Sequence, residues 1–135
     1  MGARHHSELV AWQLSSALRD EVIEIAATPD VARHARFCDQ LTDAASSVPR
    51  NIAEGFGRYS HAEFSRFLVI ALGSLGELQT LLDEALARRL LTEARFAKLH
   101  ALSVRAARAT TGLKLSLGRR TPPTPRTHDR RPREE

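Results

Sequence analysis

The stretch from Ser60 to Arg88 constrains the fold more than any other part of the chain. It opens with Ser60-x-x-Glu63, the spacing at which a serine side chain caps a backbone N–H three residues on and the glutamate reaches back. Phe64, Phe67, Leu68, Ala71, Leu72, Leu75, Leu78, Leu81 and Leu82 then recur at helical spacing and predict a helix with a very wide apolar face, over about 61–88. At about 1.5 Å per residue such a helix is some 40 Å long. It can hide that face only against other long elements. Beside the face runs a row of small residues, Ser65, Val69, Gly73, Gly76 and Thr80. Glycine inside a helix costs about 1 kcal/mol relative to alanine, so Gly73 and Gly76 predict the close approach of another helix.

Three further helical patterns supply partners. Ser7 is a good N-cap for a helix over about 7–27, in which Val10, Leu14, Leu18, Val22 and Ile25 form one stripe. Trp12 and Ile23 fall on a different side of it, as expected of a helix that touches more than one neighbour. Trp12, Ile23, Gly73 and Gly76 are therefore the candidate oligomer interface. A second helix is expected over about 31–57 from Phe37, Leu41, Ala44, Val48 and Ile52. Pro49 lies inside it, where the lost donor and the clash with the preceding turn predict a kink. Gly55 and Gly57 suit a left-handed C-cap. The last helix starts at the Thr92 cap, carries Leu99, Leu102, Ala106, Leu113 and Leu117 on its core side, and is expected to end at Gly118, over about 92–117. The fold class is all-α, an antiparallel up-down-up-down four-helix bundle over residues 1–117. Residues 118–135, "GRRTPPTPRTHDRRPREE", read as a disordered tail rich in proline and arginine.

Composition agrees with helices and bounds the function. Apolar residues make up 42% of the 135 and aromatics only 5%, against what a sheet would need. Cys38 is the single cysteine, so no intramolecular disulfide can form and a reducing compartment is expected. No apolar run reaches the roughly 18–20 residues of a membrane span. The opening "MGARHHSELV" lacks the apolar core of a secretion signal, and the expected localisation is cytoplasmic, with no membrane partner.

Catalytic and metal chemistry find little footing. "GFGR", Gly55 to Arg58, lacks the further glycine spacing and the lysine of a phosphate loop; "GSLG", Gly73 to Gly76, lacks the spacing of a nucleophile elbow. The six histidines are scattered, and none is paired with another and a carboxylate at metal-ligand spacing. Glu54 is flanked by Arg50 and Arg58 at i−4 and i+4, the pattern of helix-surface salt bridges. No catalytic residue, metal ligand or cofactor is assigned.

Charge is more telling. Residues 1–93 carry nine Lys/Arg and thirteen Asp/Glu, and residues 94–135 eleven and three, so segments of −4 and +8 compose the net +4. On the last helix Arg95, Lys98, Arg105 and Arg108 fall within about 140° of arc at 100° per residue. Arg119 and Arg120 continue the strip. Its functional reading is contact with RNA or DNA phosphates. The bland reading is pairing with acids at Asp20, Glu21, Glu24, Asp83 and Glu84 between subunits. No aromatic residues are interleaved with the strip, so base stacking is not expected there.

The block Ser47-x-Pro49-x-Asn51 to Gly55, followed by "EFSRFLVIALGSLGEL" from Glu63 to Leu78 and preceded by "VAWQLSSAL", resembles the four-helix bundle family of proteins encoded in intervening sequences of 23S ribosomal RNA genes. The resemblance spans about Leu9 to Leu117. It implies an antiparallel bundle that assembles as a homopentamer, without enzymatic activity. A relative, the accessory protein of diversity-generating retroelements, is thought to bind nucleic acid and a partner reverse transcriptase. The implied role is an accessory factor for RNA or DNA; the alternative is a protein-interaction scaffold for a neighbouring enzyme such as a reverse transcriptase. Where the family often has basic residues this chain has Thr42 and Asp43, which moves the expected contact to the last helix and the tail. Pro49, Asn51, Glu54 and Gly55 are expected to form a structural joint, with Asn51 and Glu54 satisfying backbone groups around the kink.

Overall fold

The computed structural model describes residues 2–120, without the side chain of Arg120; the predicted tail from 121 onward lies outside the described residues. A short 3₁₀ turn at His6–Glu8 leads into α1 (Val10–Ala26), followed by the one-turn α2 (Pro29–Ala32), α3 (Ala35–Phe56), α4 (His61–Ala87) and α5 (Glu93–Arg120). The long helices α1, α3, α4 and α5 make the bundle. Each packs on its neighbours in chain order, and α1 closes the square against α5, while the backbones of the diagonal pairs stay more than 8 Å apart.

Side-chain hydrogen bonds fix the antiparallel register. Ser47 and Ser74 hydroxyls lie 2.8 Å apart across α3 and α4. The Gln79 amide donates to Ser103 Oγ across α4 and α5, and Lys98 Nζ lies 3.0 Å from a Glu21 carboxylate oxygen across α5 and α1. Between these seams sits the core: Leu18 and Val22 of α1, Leu41, Val48 and Ile52 of α3, Leu68, Leu75, Leu78 and Leu82 of α4, and Leu99 of α5 are all buried. Each such leucine contributes about 1.5–3 kcal/mol through removal from water.

Several boundaries differ from the sequence reading, for local reasons. Ser7 lies in the 3₁₀ turn, so α1 begins at Val10 with Leu9 as its N-cap. The predicted second helix is two elements. Pro29 starts α2 at a position where its missing N–H loses nothing, and His34, at φ −95° and ψ 69°, interrupts the helical backbone before α3. Cys38 staples this corner. Its sulfur lies 3.1 Å from the Ala26 carbonyl oxygen and 3.5 Å from that of Val31, drawing the end of α1 and α2 onto α3.

The helix α3 is continuous through Pro49, with no break. Asn51 supports that turn by donating to the Ser47 carbonyl at 2.7 Å and to Ser47 Oγ at 3.0 Å. Glu54 bonds Arg58 instead of backbone. The expected left-handed glycines are also absent among the described residues: Gly57 caps α3 at φ −77° and Gly55 is helical. The left-handed residue is Arg89, at φ 59°. There the Leu90 N–H bonds the Ala85 carbonyl and the Arg89 N–H bonds that of Leu86, closing α4 with a Schellman turn.

Capping by side chains starts the two longest helices. Ser60 Oγ accepts from the Glu63 N–H at 3.1 Å, and Thr92 Oγ1 accepts from the Arg95 N–H at 3.2 Å. Helix α5 passes through Gly118 to Arg120, beyond its expected end. It also outruns its partner. From Lys98 onward α5 covers about 33 Å, whereas α1 from Glu21 back to its start covers about 17 Å.

Candidate nucleic-acid interface

The predicted basic strip divides into two parts. Arg95 and Lys98, near the start of α5, border α1 in a groove shared with Glu21, Glu24, Ile25 and Leu99. Lys98 is paired there with Glu21, one of the acids named in the sequence reading, but within one chain rather than between subunits. Arg105 and Arg108 lie further along, both exposed, and no ion pair of theirs occurs among the described residues. Arg119 is exposed at the far end, and the side chain of Arg120 lies outside the described residues.

The residues of the expected oligomer interface do not form one patch. Trp12 is half-buried on the α3 side of α1 and Ile23 is 47% exposed about three turns along. Gly73 and Gly76 lie on the solvent side of α4, and a Cβ built at either would meet nothing within 4 Å. Among the described residues no other helix approaches them. They stand on the exposed side of α4, and apolar groups are exposed on α4 and α5 as well. Val69 is 51% and Leu115 57% exposed, and a groove of about 400 Å³ is lined by Gln79, Val104, Ala107, Arg108, Thr111, Gly112 and Leu115.

The close approach occurs at Gly55. A Cβ there would stand 2.7 Å from Phe67 Cβ and 2.9 Å from Phe64 Cδ1, so the seam between α3 and α4 has room for hydrogen only. Around this joint the Arg58 guanidinium lies 4.9 Å from the centre of the Phe67 ring and bonds Glu54 at 2.7 Å. Glu54 shares an open groove with Tyr59 and Glu63. It is a solvated ion pair on a surface, not a carboxylate held in a dry pocket.

A second basic groove escaped the sequence reading. His6, Trp12, Arg19, Ser46, Pro49, Arg50 and Ala53 line a space of about 390 Å³ between α1 and α3. The signal was available in part, since Trp12 and Arg19 are seven residues apart on one helix face. That Arg50 stands opposite them depends on how α1 packs on α3, which no local pattern encodes. The outward apolar surface was partly legible in the same way, through Val104, Thr111 and Leu115 at helical spacing opposite Leu99 and Ala106.

Other chemistry is sparse. Burial first, and the charge of Asp39 second, push the Cys38 thiol above its ordinary range, so it is held as a thiol. Among the described residues no three His, Cys, Asp or Glu side chains are grouped to hold a metal ion, and no helix is long and apolar enough to cross a membrane.

Fold and surface together define an all-α bundle whose charged side chains lie on open helix faces. The chain belongs to the 23S rRNA-intervening sequence protein family, which it matches over residues 7–112. A crystal structure of a protein of unknown function from the S23 ribosomal protein family of Bacteroides thetaiotaomicron is similar in fold, with a TM-score of 0.71 at 17% identity over 78% of this chain and 98% of that one. Neither description names an enzyme. No curated protein matches the chain.

Proposed function

We propose that this protein is a non-enzymatic accessory factor that associates with copies of itself and contacts RNA or DNA phosphates through α5. The observation that carries the reading is the pair Arg105 and Arg108, exposed cations with no ion pair among the described residues. Guanidinium groups displayed on one helix side suit phosphate oxygens and read no sequence. Lys98, engaged by Glu21, contributes less to this surface than Arg105 and Arg108. Self-association is assigned to the outward face of α4 and α5, where Val69, Gly73, Gly76 and Leu115 leave apolar and small groups in water.

Two measurements test it. Affinity for a generic RNA should fall steeply between 50 and 200 mM salt, roughly tenfold or more, if several phosphates are contacted. Reversing Arg105, which lies outside the groove on that outward face, to glutamate should lower that affinity severalfold while light scattering still reports a mass several times the 15.0 kDa of one chain. Undiminished RNA affinity in the reversed variant would defeat the assignment. Recovery of one protein partner and no nucleic acid would select the scaffold reading, which the open α4–α5 face also suits.

A further inference from the structure

The groove between α1 and α3 combines features that the α5 strip lacks. Its lining combines Trp12, Pro49 and Ala53 with Ser46, His6, Arg19 and Arg50. The His6 ring stands 5.0 Å from the Trp12 ring at 60°, and His5 lies 4.1 Å from His6, so the N-terminal turn adds aromatic surface at one end. At about 390 Å³ the space is within the range of small-ligand sites.

The charges in the lining are differently engaged. Arg19 donates to Ser16 Oγ at 2.9 Å and to Asp20 Oδ1 at 3.1 Å, which holds its guanidinium in place. Arg50 is exposed and makes no hydrogen bond or ion pair among the described residues. The acid best spaced to neutralise it is Glu54, one helical turn on, and that carboxylate is taken by Arg58 at 2.7 Å. An uncompensated guanidinium therefore lines the same groove as an aromatic side chain.

We infer that this groove binds one nucleotide unit of a single-stranded nucleic acid, the base lying against Trp12 and the adjoining phosphate meeting Arg50. A flat π-face with a cation beside it is how proteins hold unpaired bases, because every base presents a ring and every unit a phosphate. Arg19, its guanidinium held in place by Ser16 and Asp20, flanks the base, and His6 closes the end nearest the N-terminus. The inference shares its partner class with the proposed function, but it stands on different residues.

Trp12 is the sole tryptophan, so its emission reports on this groove alone. The full-length protein is titrated with an octamer of uridylate, with uridine monophosphate, and with inorganic phosphate. The octamer should quench the emission saturably. Arg50→Glu, a change at an exposed helix position checked by circular dichroism, should weaken that quenching about tenfold through loss of a charge-assisted contact. Uridine monophosphate should act much more weakly, and inorganic phosphate should leave the emission unchanged.

Absence of quenching by the octamer, or equal quenching in Arg50→Glu, overturns the inference. So does equal quenching by inorganic phosphate, which would mean an anion site without a base. Monophosphate binding as tight as the octamer's would replace the strand with a free nucleotide. A shift of the emission on simple dilution of the protein would place Trp12 in a contact between copies, and would also overturn it. The Arg105→Glu variant separates this site from the proposed one: its RNA retention falls if the α5 reading is right, while its Trp12 quenching stays.

Discussion

The α3–α4 seam and the outward face of α4 and α5 both carry glycine, in opposite surroundings. At the seam, Gly55 faces Phe64 and Phe67 so closely that a methyl group has no place. On the outward face, Gly73, Gly76 and Gly112 meet nothing within 4 Å, although each weakens its helix relative to alanine. One set of glycines is explained inside the chain and the other is not. Small residues kept on an exposed apolar surface make sense where the backbone of something else comes near, which is why that face is assigned to copies of the protein.

The largest expected contrast lies between deep and outward apolar residues. Ile52→Ala, in the seam, should lower stability by about 2–5 kcal/mol in denaturant unfolding followed by circular dichroism. Leu115→Ala should change it by less than about 0.5 kcal/mol at low protein concentration and reduce the assembled mass instead. Equal losses would mean that the two regions are not different in kind.

Glycine substitutions sharpen the contrast further. Gly55→Ala should destabilise by about 1–3 kcal/mol, because Phe67 and Phe64 must move. Gly73→Ala should stabilise a dilute, unassembled chain by about 0.5–1 kcal/mol through helix propensity, and weaken association measured by light scattering. A stabilised chain with unaltered mass would show that Gly73 lies away from any contact. Between these in size is Arg89→Gly, at neither region, expected to raise stability by about 1 kcal/mol by relieving a left-handed arginine. Its melting temperature should rise; an unchanged value would mean that the Arg89 side chain offsets the backbone strain.

The smallest effect concerns the ion pair on the opposite side of the bundle. A double-mutant cycle on Glu21 and Lys98 should give a coupling below about 1 kcal/mol that shrinks with added salt, as both groups are partly exposed. Coupling that persists at high salt would mark that groove as drier than its geometry indicates.

Much of the bundle was legible because its signals are local and repeated. The apolar spacing from Phe64 to Leu82 and the caps at Ser60 and Thr92 are written within a few residues of where they act. What stayed hidden depended on partners far along the chain. Nothing near His34 announces the interruption between α2 and α3, since neither glycine nor proline stands there. The left-handed position fell on Arg89, whose identity carries no such preference, while Gly57 ended its helix with ordinary backbone angles. At the candidate site, the arc from Arg95 to Arg108 was readable from spacing alone. That Glu21 would engage Lys98 and leave Arg105 without a partner required knowing which face of α1 meets α5.

The unequal lengths of α1 and α5 bear on how the molecule breathes. The final turns of α5 reach past the start of α1 and lean on α4, so their amides should exchange with solvent deuterium sooner than those around Ser103 and Ala106. Arg119 rides on that loosely held end. Among the described side chains of α5 it is the cation best able to sweep out space while the rest of the bundle stays shut.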